Sequence, residues 1–186
     1  MLNKLKANPH PNIVDFRGSY TLIEKKTQGK TVKKGYIQME KGLTNLKAYL
    51  SQRKDPFTED EVTSFLSSML DGFAHLQKIE VAHRDIKPSN ILVFDEDPLE
   101  FKICDVGAGT AVGECDNTKE RTVIGTPYYL SPELYLAFME KLNLTNYKAY
   151  KSDVYSLGLL FIEFCLGKKV SERLKNEAAQ VAQKIK

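Results

Sequence analysis

Val81-Ala82-His83-Arg84-Asp85-Ile86-Lys87-Pro88-Ser89-Asn90, running straight into Ile91-Leu92-Val93-Phe94, is the stretch from which the rest of this chain can be read. The apolar run after Asn90 has the composition of a β-strand. Asp95-Glu96-Asp97-Pro98 supplies a turn, and Phe101-Lys102-Ile103-Cys104 a second strand that ends at Asp105. Paired as an antiparallel hairpin, the two runs bring Asn90 and Asp105 side by side at the open end. An amide oxygen and a carboxylate placed there form a hard oxygen site suited to Mg²⁺. Asp85 and Lys87, on the loop just before, face the same spot. A candidate base, a cation and a metal site then converge, and these are the parts phosphoryl transfer requires.

Upstream, a helix is strongly punctuated. Thr58 with Glu61 three residues on forms a capping box, and Val62, Phe65, Leu66, Met69, Phe73 and Leu76 follow at helical spacing. Further upstream the chain favours strands: Ile13 to Phe16, Tyr20 to Ile23 and Tyr36 to Met39. The lysines from Lys25 to Lys34 between them read as a solvated hairpin tip rather than a basic docking patch. Downstream, Val154 to Leu166 is apolar on almost every side and is expected to be buried, and Val170 to Lys186 carries a weak apolar stripe. Strands first and helices later predict an α+β protein with segregated lobes.

Composition sets the outer bounds. The chain has 186 residues, 42% hydrophobic and 27% charged, with a net charge of +3, which is ordinary globular composition. So mild a charge gives no support for a nucleic-acid or membrane-surface partner. The start lacks the apolar segment of a secretory signal, and no run is long enough to span a bilayer. Three cysteines without CxxC spacing exclude a zinc ribbon and fit a reducing, intracellular and cytoplasmic setting. In that setting the Asn143-Leu144-Thr145 glycosylation pattern is idle.

The central stretch resembles the catalytic loop of eukaryotic protein kinases, H-R-D-L-x-x-x-N, with Ile86 for Leu. Five more motifs stand in the family's order. His10-Pro11-Asn12-Ile13-Val14 resembles the link from the αC helix into the next strand, and Met39-Glu40-Lys41-Gly42 the gatekeeper and hinge. Asp105-Val106-Gly107 stands where the family has D-F-G, and Gly125 to Glu133 resembles the end of an activation segment, with Ser-Pro-Glu for A-P-E. Ser152-Asp153-Val154-Tyr155-Ser156-Leu157-Gly158 resembles the start of the large lobe's buried helix.

The resemblance implies a protein-kinase-like two-lobed fold: residues 1–40 a small-lobe remnant starting in the αC helix, and 41–186 the hinge and helical lobe. It implies transfer of the ATP γ-phosphate to protein substrates, with ATP and Mg²⁺ as cofactors. Asp85 would accept the substrate hydroxyl's proton and Lys87 would steady the transferred phosphate. Asn90 and Asp105 would bind Mg²⁺. Backbone groups of Glu40 and Gly42 would contact adenine, with Met39 and Leu92 among the nucleotide-contacting residues. Lys87 together with Thr126 resembles the serine/threonine branch. Thr122 is either an activating phosphosite, paired with Arg84, or a plain loop hydroxyl.

The chain also departs from the pattern. It has no G-x-G-x-x-G phosphate loop; Gly107-Ala108-Gly109 has Val112 where the third glycine would stand. It has no V-A-I-K lysine, and counting back from Pro11 puts the αC glutamate at about Met1 or before it. The expectation is a kinase domain truncated at both ends, with little or no transfer by these residues alone. Glu133 would lack its usual arginine partner and, if buried, would need another. Val106 in place of Phe would leave volume unfilled beside Leu5, Phe16 and His83. Cys104 reads as a buried strand cysteine rather than a reactive thiol. A second reading remains: a non-catalytic, pseudokinase-like module that offers its helical lobe to a partner kinase or scaffold.

Overall fold

A computed structural model describes residues 2–25, 31–106, 109–111 and 119–167, and these follow the α+β order expected from the sequence. A short helix, α1 (Leu2–Ala7), leads into β1 (Phe16–Lys25) and β2 (Thr31–Met39), which pair antiparallel from Phe16↔Met39 to Lys25↔Thr31. Ile13, expected in a strand of its own, makes only an isolated parallel bridge to Ile103. Lys33 and Lys34 are exposed on β2, and residues 26–30 of the lysine-rich tip lie outside the described residues.

From Glu40 the chain crosses to a mainly helical part. β3 (Thr44–Asn45) runs into α2 (Leu46–Gln52), where the Asn45 side chain caps the helix by accepting from the Ala48 N–H at 3.0 Å. Next comes α3 (Glu59–Lys78), with the expected capping box: Thr58 Oγ1 accepts from the Glu61 N–H, and Glu61 Oε2 accepts from the Thr58 N–H. Phe65, Met69 and Leu76 are buried on its inner face. Gly72 lets the helix approach β6 closely, since a Cβ there would stand 2.6 Å from Ile103 Cδ1.

β4 (Val81–Ala82) precedes the catalytic-loop stretch, and β5 (Ile91–Glu96) pairs with β6 (Leu99–Ile103) in the predicted hairpin, Ile91 facing Ile103. The turn is tighter than predicted, because β5 continues to Glu96 and β6 already begins at Leu99. β7 (Thr110–Ala111) lies along β4. β8 (Lys119–Thr122), α4 (Pro132–Met139), β9 (Leu144–Tyr147) and α5 (Ala149–Leu166) complete the described elements.

Phe164 of α5 joins the main core. Its ring stacks on Phe65 at 4.0 Å and on Phe57 at 3.9 Å, and meets Phe101 edge-on at 5.7 Å. Such aromatic pairs add roughly 0.5–1.5 kcal/mol beyond the burial of their area. α5 corrects one expectation. Leu160, Phe164 and Glu163 are buried, but Val154 is 69% exposed and Ile162 and Leu166 also face outward. An almost wholly apolar helix is thus covered on one side only by the described residues. The apolar stripe expected over 170–186 lies outside them.

Candidate active site

The loop between β4 and β5 is shaped by buried polar contacts from two directions. Asp153, in the second turn of α5, accepts the backbone N–H of His83 at 2.7 Å and of Arg84 at 2.8 Å. Burial pushes its carboxyl up, against the pull of His83 and these N–H donors. His83 is fully buried; its Nδ1 accepts the Asp85 N–H, so its Nε2 carries the proton donated to the Cys104 carbonyl at 3.0 Å. Arg84 and Asp105 both sit at positive φ, 67° and 54°. Left-handed backbone at non-glycine residues persists only where the surroundings hold it, here on both walls of one site.

Asp85, Lys87, Asn90 and Thr126 meet in one hydrogen-bonded cluster. Lys87 Nζ donates to Asp85 Oδ2 at 2.6 Å and to Thr126 Oγ1 at 2.9 Å, and Thr126 Oγ1 donates to Asp85 Oδ1 at 2.7 Å. The Asn90 amide N–H₂ donates to the Asp85 carbonyl at 2.8 Å and to Oδ2 at 3.2 Å. Burial raises the Asp85 carboxyl, but the bonds from Lys87, Thr126 and Asn90 outweigh it and hold it below the ordinary carboxylate range. The carboxylate is ionised and held by donors on both oxygens.

Asn90 and Asp105 take their predicted places at the mouth of the β5–β6 hairpin, joined by the Cys104 N–H to Asn90 carbonyl bond at 2.9 Å. With its N–H₂ committed to Asp85, Asn90 presents Oδ1, which accepts no bond among the described residues, and Asp105 is exposed at the end of the paired strand. Two hard oxygens without partners among the described residues are the donor type that Mg²⁺ takes, with water and phosphate as its other ligands. No group of three or more His, Cys, Asp or Glu forms a metal site among the described residues.

Of the residues expected to contact the nucleotide, Gly42 and Leu92 lie close together. Gly42 lies against β5, where a Cβ would stand 3.1 Å from Leu92 Cβ and 3.1 Å from the Val93 carbonyl. The Glu40 N–H is spent on the Asp15 carbonyl, while the Glu40 carbonyl and both backbone groups of Gly42 have no backbone partner among the described residues. Met39 and Asp105 line a cavity of about 40 Å³ with Leu5, Phe16 and Val106. Val106 lines this cavity together with Leu5 and Phe16, whereas His83, also expected beside it, does not. A second cavity, about 480 Å³, opens beside Lys87 and Thr126 and is lined by Lys47, Ser51, Tyr128 and Glu163 among others.

Other sequence expectations resolve less simply. Thr122 is exposed but lies in strand β8 rather than in a loop. The phenol of Tyr147, a residue to which the sequence assigned no role, is buried and donates toward the Thr122 carbonyl at 3.5 Å. Glu133 is half-buried, and no cation pairs with it among the described residues. Cys104 is buried, and its thiol is pushed up to about 12 by burial and by the Asp105 charge. Asp153 was visible in a motif, yet its role needed the fold.

Comparison with known proteins agrees with this geometry. The family model for the protein kinase domain matches residues 1–186. Among curated relatives, the chain is 31% identical to serine/threonine-protein kinase TAO1-B of Xenopus laevis over 159 residues, covering 86% of this chain and 14% of the relative. It is 30% identical to TAO3 of Homo sapiens over 159 residues, 86% of this chain and 15% of that protein. Against serine/threonine-protein kinase PLK4 of Danio rerio it is 34% identical over 120 residues, 64% of this chain and 12% of that protein. The chain thus spans about one-seventh of the length of these relatives. With the protein kinase domain model matching its whole length, the chain belongs to the protein kinase family, and the relatives it matches are serine/threonine-protein kinases.

Proposed function

We propose that this chain is the catalytic-loop portion of a protein serine/threonine kinase that transfers the ATP γ-phosphate to Ser or Thr hydroxyls of proteins. The observation that carries the reading is the closed cluster Asp85–Lys87–Thr126–Asn90, with Asn90 Oδ1 and Asp105 left over on its open side. Asp85 takes the proton of the attacking hydroxyl as the new O–P bond forms and the bond to the leaving diphosphate breaks. Lys87 sets its charge against the transferring group, and Thr126 fixes Lys87 and Asp85 relative to each other. Asn90 and Asp105 hold Mg²⁺, which when bound neutralises phosphate charge. The Glu40 carbonyl and the Gly42 backbone hold adenine, flanked by Met39 and Leu92. The polypeptide substrate enters on the side of the cavity that opens onto Lys87 and Thr126.

Among the described residues Cys104 and Cys165 are free thiols, in keeping with a reducing cytoplasmic setting, and no helix is long and apolar enough to cross a membrane. The test is phosphate transfer from labelled ATP to a generic protein substrate by the intact protein that carries this chain. Asp85→Asn is expected to lower kcat by about 10²–10⁴-fold. Binding of Mg-ADP should change little. Equal turnover by the two proteins would overturn the assignment.

A further inference from the structure

Ser156 lies on α5 one turn beyond Asp153 and is buried. Its hydroxyl donates to the Tyr129 carbonyl at 2.7 Å, while the Ser152 carbonyl, one turn back on the same helix, is the longer contact at 3.1 Å. A hydroxyl has one proton, and the shorter bond is the one that leaves the helix. Tyr129 ends a single 3₁₀ turn, Pro127–Tyr129, which starts immediately after Thr126. Its N–H bonds the Thr126 carbonyl at 2.8 Å and closes that turn. Its phenol donates to Glu163 Oε2 at 2.8 Å. Burial, and then the Glu163 carboxylate, push the phenol up, so it keeps the proton it donates. Ser156 and Glu163 stand two turns apart and therefore share one face of α5. Tyr129 is bound to that face by its carbonyl and by its phenol.

Thr126 is the one member of the catalytic-loop cluster that comes from a distant part of the chain. Its Oγ1 meets Lys87 Nζ at 2.9 Å and Asp85 Oδ1 at 2.7 Å. We propose that Ser156 is a positioning residue that acts through the Tyr129 carbonyl to hold Thr126 in place against Asp85 and Lys87. The neighbouring turn of α5 does the matching work on the other side of the cluster. There Asp153 holds the His83 and Arg84 N–H groups at 2.7 and 2.8 Å, at the head of the loop that carries Asp85. Two anchors on consecutive turns of one helix set the separation between Asp85 and Thr126 by helix geometry, although the two residues lie far apart in the chain. The effect on turnover rests on the kinase reading above, whereas the hold on Tyr129 can be measured without turnover.

Amide hydrogen exchange and steady-state kinetics on the intact protein that carries this chain test the proposal. Ser156→Ala should speed exchange of the Tyr129 amide about tenfold and leave the amides of Phe65, Met69 and Leu76 in α3 unchanged. It should lower kcat by about 10–100-fold with little change in KM for ATP. Leu160→Ala, in the main core rather than beside Tyr129, is the control for lost stability, and while folded it should keep both its kcat and the slow exchange of Tyr129. An unchanged Tyr129 amide in Ser156→Ala overturns the proposal, and so does an equal loss of kcat in Leu160→Ala. If Ser156→Ala loosens α3 as well, Ser156→Cys, a weaker donor of similar shape, decides: faster exchange at Tyr129 alone supports the proposal, and unchanged exchange or release throughout overturns it. Absence of turnover in the unaltered protein would refute the kinase reading, and the Tyr129 amide would still decide whether Ser156 holds the turn that follows Thr126.

Discussion

Asp85 shows how a single residue's environment sets its chemistry. Its carboxyl titrates lower in the folded chain than in the unfolded one, so its ionised form contributes stability that is fully present above about pH 4 and is lost as pH falls through the lowered native value. The difference in urea midpoint between the unaltered protein and Asp85→Asn should therefore be constant near neutrality and change only in acid. A difference that changes between pH 6 and 8 would contradict this. The cysteines offer a second check. With Cys104 buried and raised to about 12 while Cys165 is exposed, iodoacetamide at pH 8 should label Cys165 and spare Cys104. Labelling of both at similar rates in the folded protein would refute the assignment. Residue types that carry chemistry within one short stretch (Asp85, Lys87, Asn90) were legible in the sequence. Asp153 was not, because its role depends on the backbone of His83 and Arg84, about 70 positions earlier in the chain.

Elements stabilised by local signals were legible, and those made by pairing were not. The α3 capping box could be read from Thr58 and Glu61, and it forms as read. Thr58→Ala should cost about 1 kcal/mol, seen as a lower urea midpoint with unchanged slope; a cost near zero would mean the cap is idle. The β5–β6 hairpin was equally clear, since its strands and turn are adjacent. β8 and β9 gave no comparable signal. Lys119-Glu120-Arg121-Thr122 is almost wholly polar and becomes a strand only because Leu144 to Tyr147 lies beside it. α5 was misread in a different way. Periodicity cannot separate a helix buried all round from one covered on one side when nearly every position is apolar.

At the scale of the whole molecule the two faces of α5 should answer differently to substitution. Leu160→Ala opens the core and should cost about 2–5 kcal/mol, whereas Val154→Lys, on the exposed face, should change stability by no more than about 0.5 kcal/mol. Similar losses for both, in thermal or urea unfolding of the intact protein, would mean that this face is covered. The stack around Phe164 has a further consequence, for the order of events during synthesis. Phe57, Phe65 and Phe101 leave the ribosome well before Phe164, the ring that lies against all three. At roughly 5–20 residues per second, the 63 residues from Phe101 to Phe164 take several seconds to add. Throughout that interval the nascent chain carries three aromatic rings without their shared neighbour, and so presents apolar surface to chaperones until its last described helix emerges.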